Sequence, residues 1–181
     1  MHRTSVIIII LLSVFCVGCK KTHCPAFPAN LNYFPYSNGQ ELHFTNSQND
    51  ISSFVISDKK NSKESSYEWN CACECVAHSG FKTNMNQDSL IIDCYLFIIG
   101  NFASSVFIDC NFTYIYHYSD NLSENLMVEQ QIPYEDLAKH LNDTISIEKE
   151  NSKIVKKTVI VKNKGLISYT TADGEEWKLL E

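Results

Sequence analysis

Eight cysteines in a chain of 181 residues hold the most chemistry within reach. Cys16 and Cys19 close an apolar N-terminal run, and the others are Cys24, Cys71, Cys73, Cys75, Cys94 and Cys110. If the chain is exported, an even set of cysteines points to disulfides. On a strand, Cys71, Cys73 and Cys75 share one face at roughly 6.6 Å per step. That is the upper edge of disulfide Cα spacing, and the Cβ vectors run parallel instead of converging. Bridges within the triplet are therefore disfavoured, and each member is expected to reach Cys24, Cys94 or Cys110. A competing pair exists: if the turn between the next two strands centres near Phe102, Cys94 falls opposite Cys110. Bridging those two would force triplet members together or leave thiols free, so the spacing favours pairing the triplet with the outside cysteines.

Three thiolates with His78 nearby have the composition of a zinc set. Along a strand, however, Cys71 and Cys75 stand about 13 Å apart, whereas zinc holds each sulfur at about 2.3 Å. No metal and no other cofactor is expected. Beyond the apolar run there is no C-x₂-C pair of the redox type. Nucleophile-elbow, phosphate-loop, dinucleotide and zinc-protease motifs are absent from the sequence. Asp93 and Asp109 are expected as cross-strand neighbours on the face opposite Cys94 and Cys110. Paired carboxylates can do acid–base work or hold a cation, although a polar outer sheet face is the plainer reading. The expectation is a non-enzyme, with a hydrolase-type site at Asp93, Asp109 and His78 as the alternative.

Strands must position these groups. Nine Tyr, ten Phe and many Ile and Val favour β structure. Period-two alternation is read at Glu41 to Thr45, Ile51 to Ser57, Tyr67 to Ala77, Leu90 to Ile99 and Val106 to Tyr118, and again at Thr144 to Glu148, Thr158 to Val161, Leu166 to Thr171 and Glu176 to Leu180. Asp58 to Ser66 reads as a polar loop. Lys162 to Gly165 and Ala172 to Glu175 read as hairpin turns. Pro133 to Leu141 is the one expected helix, with proline first, acids in the first turn and Lys139 and His140 in the last. About eight strands and one short helix predict a mainly β fold, an antiparallel β-sandwich or a curled, barrel-like sheet. Residues 41–181 are one such domain. Residues 19–40 form an extended, proline-bearing arm. Within it Phe27, Tyr33, Phe34 and Tyr36 either stack on a sugar or peptide or fold back over the sheet edge.

The N terminus sets the compartment. Arg3 precedes an apolar stretch from Val6 to Gly18, shorter than the roughly 20 helical residues a bilayer core needs. A charged start, a short apolar middle and small residues at its end describe a secretory signal. Val17-Gly18-Cys19 resembles the bacterial lipobox, with Cys16 standing where leucine is usual. The resemblance implies a signal peptide over 1–18 and a lipid-bearing, palmitate-type Cys19 that anchors the protein in the membrane. Removing Arg3 makes the formal charge of −6 one unit more negative. With no basic block, a nucleic-acid partner is not expected.

The lipobox-like Cys19 combines with Cys24-Pro25-Ala26-Phe27-Pro28, Phe34-Pro35-Tyr36, the cysteine-rich Trp69 to Cys75 stretch and the closing segment from Val161 to Leu179. Together they resemble the small lipoproteins common in Bacteroidota. The resemblance implies a β-rich exported protein without catalytic residues to carry over. Lys20-Lys21-Thr22-His23 lacks the acids that follow the lipidated cysteine in surface-displayed members, so the expected location is the outer membrane, facing the periplasm. The expected role is a lipid-anchored binding or accessory module of the envelope with a protein or glycan partner. The alternatives are the hydrolase-type enzyme and an inhibitor or immunity-type lipoprotein.

Overall fold

The computed structural model describes residues 31–67, 73–87, 89–99, 104–115, 121–132 and 141–180. These form ten antiparallel strands: β1 (Glu41–Thr45), β2 (Ile51–Tyr67), β3 (Cys73–Thr83), β4 (Leu90–Ile99), β5 (Ser104–Ile115), β6 (Asn121–Ile132), β7 (Thr144–Glu148), β8 (Val155–Val161), β9 (Gly165–Thr171) and β10 (Glu176–Leu179). They make one sheet in the order β6-β5-β4-β3-β2-β1-β10-β9-β8-β7. The fold is thus mainly β, and of the two expected architectures the curled sheet is the one adopted, nearly closed into a barrel.

Alternation explains the core. Leu42 and Phe44, Phe54 and Ile56, the Leu90-to-Ile98 series and the Val106-to-Phe112 series all point inward and are buried. Their neighbours on the same strands face outward. A single carboxylate clasps the open seam. Glu124 points inward from β6 and accepts hydrogen bonds from the Ser152 hydroxyl and from the backbone N–H groups of Lys153 (2.6 Å) and Ile154 (2.8 Å), beside β8. Burial pushes the Glu124 carboxyl up, but these donors and nearby Lys149 outweigh it and hold it below its ordinary range.

Several expectations need correction. Asp58 to Ser66 is not a loop. It continues β2, paired with β3 from Asp58↔Lys82 to Tyr67↔Cys73. Ladder hydrogen bonds need no apolar side chain, and the inward Lys59 finds a partner in the Phe34 carbonyl. Tyr67 and Cys73 therefore face each other across two strands and do not follow one another on a single strand. The single strand expected from Tyr67 to Ala77 is therefore divided; Cys73 and Cys75 remain two residues apart on β3 and share a face, while Cys71 and Cys24 lie outside the described residues. Cys94 and Cys110 stand directly opposite in the β4–β5 register, with Cα atoms 4.1 Å apart, and form a disulfide in the core. That pair overturns the favoured triplet-to-outside arrangement for both cysteines. Strand β6 was not expected. The helix expected over Pro133 to Leu141 falls outside the described residues except for Leu141, which is buried.

Of the two readings of the arm, the one that folds it back is adopted. Tyr33 and Phe34 are 0 % exposed and Tyr36 is 6 % exposed, so none of them is free to stack on a ligand. Beyond Val55, β2 has no β1 partner, and the arm covers the inner face left there. Phe34 and Tyr36 pack on Phe81 with ring centres 5.3 and 4.7 Å away. The Tyr33 hydroxyl donates to the Asn142 carbonyl at 2.6 Å, and Asn163 N–H donates to the Asn32 carbonyl. The Tyr36 hydroxyl accepts the Leu166 N–H at 2.7 Å. It occupies the space where a Cβ on Gly165 would lie, 1.9 Å from such an atom, and Gly165 has a φ of +93°. Glycine at that turn serves both the backbone conformation and the tyrosine. Residues 31–36 thus plug one end of the barrel. Phe27 lies outside the described residues.

Candidate ligand-binding mouth

Antiparallel order decides what gathers at the other end. The turns after β1, β3, β7 and β9 all fall there, opposite the plug. Between them opens a depression of about 730 Å³, within the range of small-molecule sites.

Its rim is built from short polar turns. Asn46, 7 % exposed, organises the first: its Oδ1 accepts the N–H groups of Gln48 (3.0 Å) and Asp50 (2.8 Å). Its amide donates to Asp50 Oδ2 (2.9 Å) and to Glu175 Oε1 (2.7 Å), tying the β1–β2 turn to the β9–β10 turn. Glu175 Oε2 accepts Trp177 Nε1–H at 3.1 Å. Trp177 in turn stacks on Tyr169, with ring centres 6.2 Å apart and planes 8° from parallel. Tyr169 is buried on Phe44 and Phe112, so the aromatic wall continues into the core. Across the mouth, Asn86 donates to Ser52 Oγ and accepts the Leu90 N–H, both at 2.7 Å. Asp173 accepts the Thr171 hydroxyl, which, with Lys156 nearby, holds its carboxyl below the ordinary range. Asp50, Asp173 and Glu175 face one basic lining residue, Lys153.

The residues singled out by sequence lie elsewhere, on the outer face of β3 to β5. His78 shares a hydrogen bond with Ser62 Oγ (2.9 Å) and lies against Phe97. It lines a groove of about 240 Å³ together with Asp93 and Tyr95. Asp93 pairs with Asn111 and Asp109 with Tyr95, so the two acids are diagonal neighbours and not directly opposed. Burial raises the Asp93 carboxyl, and the Asp109 charge adds to this. Asp109 is also raised by burial; Asn125 donates to its Oδ2 at 2.9 Å, and its Oδ1 has no hydrogen-bond partner. At 6 % exposure Asp109 is closed to a substrate. The structure brings His78 and Asp93 to one groove but leaves Asp109 beneath the surface. Among the described residues no three His, Cys, Asp or Glu side chains converge to hold a metal ion.

Sequence reasoning missed Asn46, Asp50, Glu175 and Trp177. The available signal was parity. Asn46-to-Asp50 and Ala172-to-Glu175 are both turns at the ends of odd-numbered strands, so an antiparallel meander puts them at the same end. The fold and the mouth define an antiparallel sheet curled nearly into a barrel, plugged at one end and open at the other. Comparison of the chain with protein-family models, with curated proteins and with solved structures gave no match.

Proposed function

We propose that the protein is a lipid-anchored binding module of the bacterial envelope, resembling the small Bacteroidota lipoproteins, that takes a small polar molecule into its mouth. The observation that carries this reading is the mouth itself: a polar, turn-built depression walled by Trp177 and Tyr169, at the end the aromatic plug leaves open. Described chain enters at Leu31, at the plugged end. A lipid on Cys19 would tether that end and leave the mouth for solutes of the periplasm. The role is capture or presentation without chemistry, since the described residues of the mouth pair most of their polar groups with one another and include no nucleophile with an adjacent base.

Two measurements test this. Globomycin should cause unprocessed precursor to accumulate, and labelled palmitate should enter the wild type but not Cys19→Ala. A thermal-shift screen of amines, sugars, amino acids and organic acids should find a stabilising compound whose effect falls in Trp177→Leu. Processing that ignores globomycin sinks the anchor, and a hit indifferent to Trp177 sinks the mouth.

A further inference from the structure

Resting on that reading, we infer that the mouth selects an organic cation: a ligand carrying an ammonium or guanidinium group on a hydrocarbon or planar body. The donors and acceptors of the rim are unequally used. Asn46 is the best-placed amide, but both of its N–H groups are spent on Asp50 and Glu175 and its oxygen on two backbone N–H groups. Asn86 is committed to Ser52 and Leu90. The indole N–H of Trp177 goes to Glu175. The amide and indole donors that would face an anion are therefore occupied, which leaves Lys153 as the cation among the described lining residues. What the rim still offers is carboxylate lone pairs, those of Asp50 Oδ1 and the outer ones of Glu175; Asp173 already accepts the Thr171 hydroxyl and backbone N–H groups.

These acceptors suit a guest that brings donors. The single amide of Asn46 holds Asp50 and Glu175 side by side, so one multi-donor group can bridge both. The wall beside them is aromatic, and an indole face attracts a cation within about 6 Å of its centre. Among the described residues an anion would meet three carboxylates against Lys153 on the lining and Lys156 beside Asp173. A neutral sugar could donate to the rim, but it would gain neither the charge-assisted bonds nor the attraction to the ring. The depression exceeds the space one ammonium group fills, so the cation is one end of a larger molecule.

The test is calorimetric titration of the full-length protein in detergent with spermidine, agmatine, N-acetylglucosamine and succinate. The expected order places both amines at least about tenfold tighter than the sugar, with succinate weakest. Glu175→Gln and Asp50→Asn should each weaken amine binding by about tenfold, charge-assisted hydrogen bonds being the stronger kind. Asp143→Asn, a solvent-exposed carboxylate at the plugged end paired with Lys162, should leave it unchanged. Trp177→Leu keeps an apolar wall but removes the indole face, and should cost several-fold. Equal loss in Asp143→Asn would mean diffuse attraction to an acidic protein and would overturn the inference. Sugar binding that depends on Trp177 and matches or exceeds that of the amines would overturn the choice of a cation while keeping the mouth as the site. No response of any probe to Trp177→Leu or Glu175→Gln would overturn both.

Discussion

The two ends of the barrel use aromatic residues in opposite ways. At the plugged end Tyr33, Phe34 and Tyr36 are withdrawn from water, the last two against Phe81, and the polar atoms they carry in are matched: the Tyr33 hydroxyl by Asn142, the Tyr36 hydroxyl by Leu166, the Phe34 carbonyl by Lys59. At the mouth Trp177 keeps part of its ring accessible, and the order of the rim comes from hydrogen-bonded turns around Asn46. The contrast teaches that stability and recognition sit on different residues, so each can be changed while the other is read.

The largest effect belongs to the plug. Phe34→Ala should cost about 3–5 kcal/mol, because it removes a fully buried ring and leaves a cavity against Phe81. Urea unfolding monitored by circular dichroism checks it. A cost under 1 kcal/mol would mean that residues 31–36 rest on the barrel without sealing it.

Gly165→Ala ranks next, at roughly 2–4 kcal/mol. The new methyl meets the Tyr36 hydroxyl and the backbone must hold a positive φ. Tyr36→Phe should cost about 1–3 kcal/mol, since it leaves the buried Leu166 N–H without an acceptor. Thermal unfolding of both variants should preserve that order, and ligand affinity at the far end should not move.

How far these residues were legible in the sequence differs by element. Strands with clean alternation, such as Leu90 to Ile99, declared themselves, and so did the Cys94–Cys110 register once a turn near Phe102 was allowed. The polar half of β2 did not, because its ladder is satisfied by backbone and its inward lysine by a carbonyl 25 residues away. Strand β6 was hidden by Glu124, a charge on an inward position where alternation demands an apolar residue. The clasp that closes the barrel is thus the residue that concealed the strand. For Tyr33, Phe34 and Tyr36 folding back was one of two readings, and the sequence could not decide between them, since a proline-bearing aromatic segment has the same composition whether it plugs or projects. The mouth was invisible until the strand count fixed which turns share an end.

Two carboxylates in the barrel wall give the next effect, of opposite sign. Glu124 is held below its ordinary value of 4.5 when folded. Its contribution is full above that value and is lost as pH falls through the lower folded one. Glu124→Gln should cost about 1–3 kcal/mol at neutral pH and remove that acid-side loss. Asp109 is raised above its ordinary value of 3.8 by burial. Folded protein therefore takes up its proton first, so stability contributed by this group grows as pH falls through the raised value and levels off below 3.8. Asp109→Asn should raise stability at neutral pH by about 1 kcal/mol, by removing a buried charge that is hydrogen-bonded but faces no cation among the described residues, and should flatten this rise. Denaturant midpoints from pH 3 to 8 separate the two. The same slope in both variants would refute the assignment of either.

The smallest effect on stability is expected at the rim, and it is the one that completes the contrast between the ends. Asp50 is exposed, and its Oδ2 accepts one N–H of Asn46. In Asp50→Asn the side-chain oxygen can still accept that N–H, so the turn should keep its shape and stability should change by no more than about 0.5 kcal/mol. The charge is lost, however, and with it the acceptor offered to a cationic guest. Phe34→Ala should behave in the reverse way: much less stable, yet with amine affinity unchanged wherever the protein remains folded, because no plug residue borders the mouth. Measuring unfolding and amine binding on both proteins tests the separation directly. A rim variant that unfolds as readily as the plug variant would show that the Asn46 network holds the barrel together, and the division between a sealing end and a recognising end would fall.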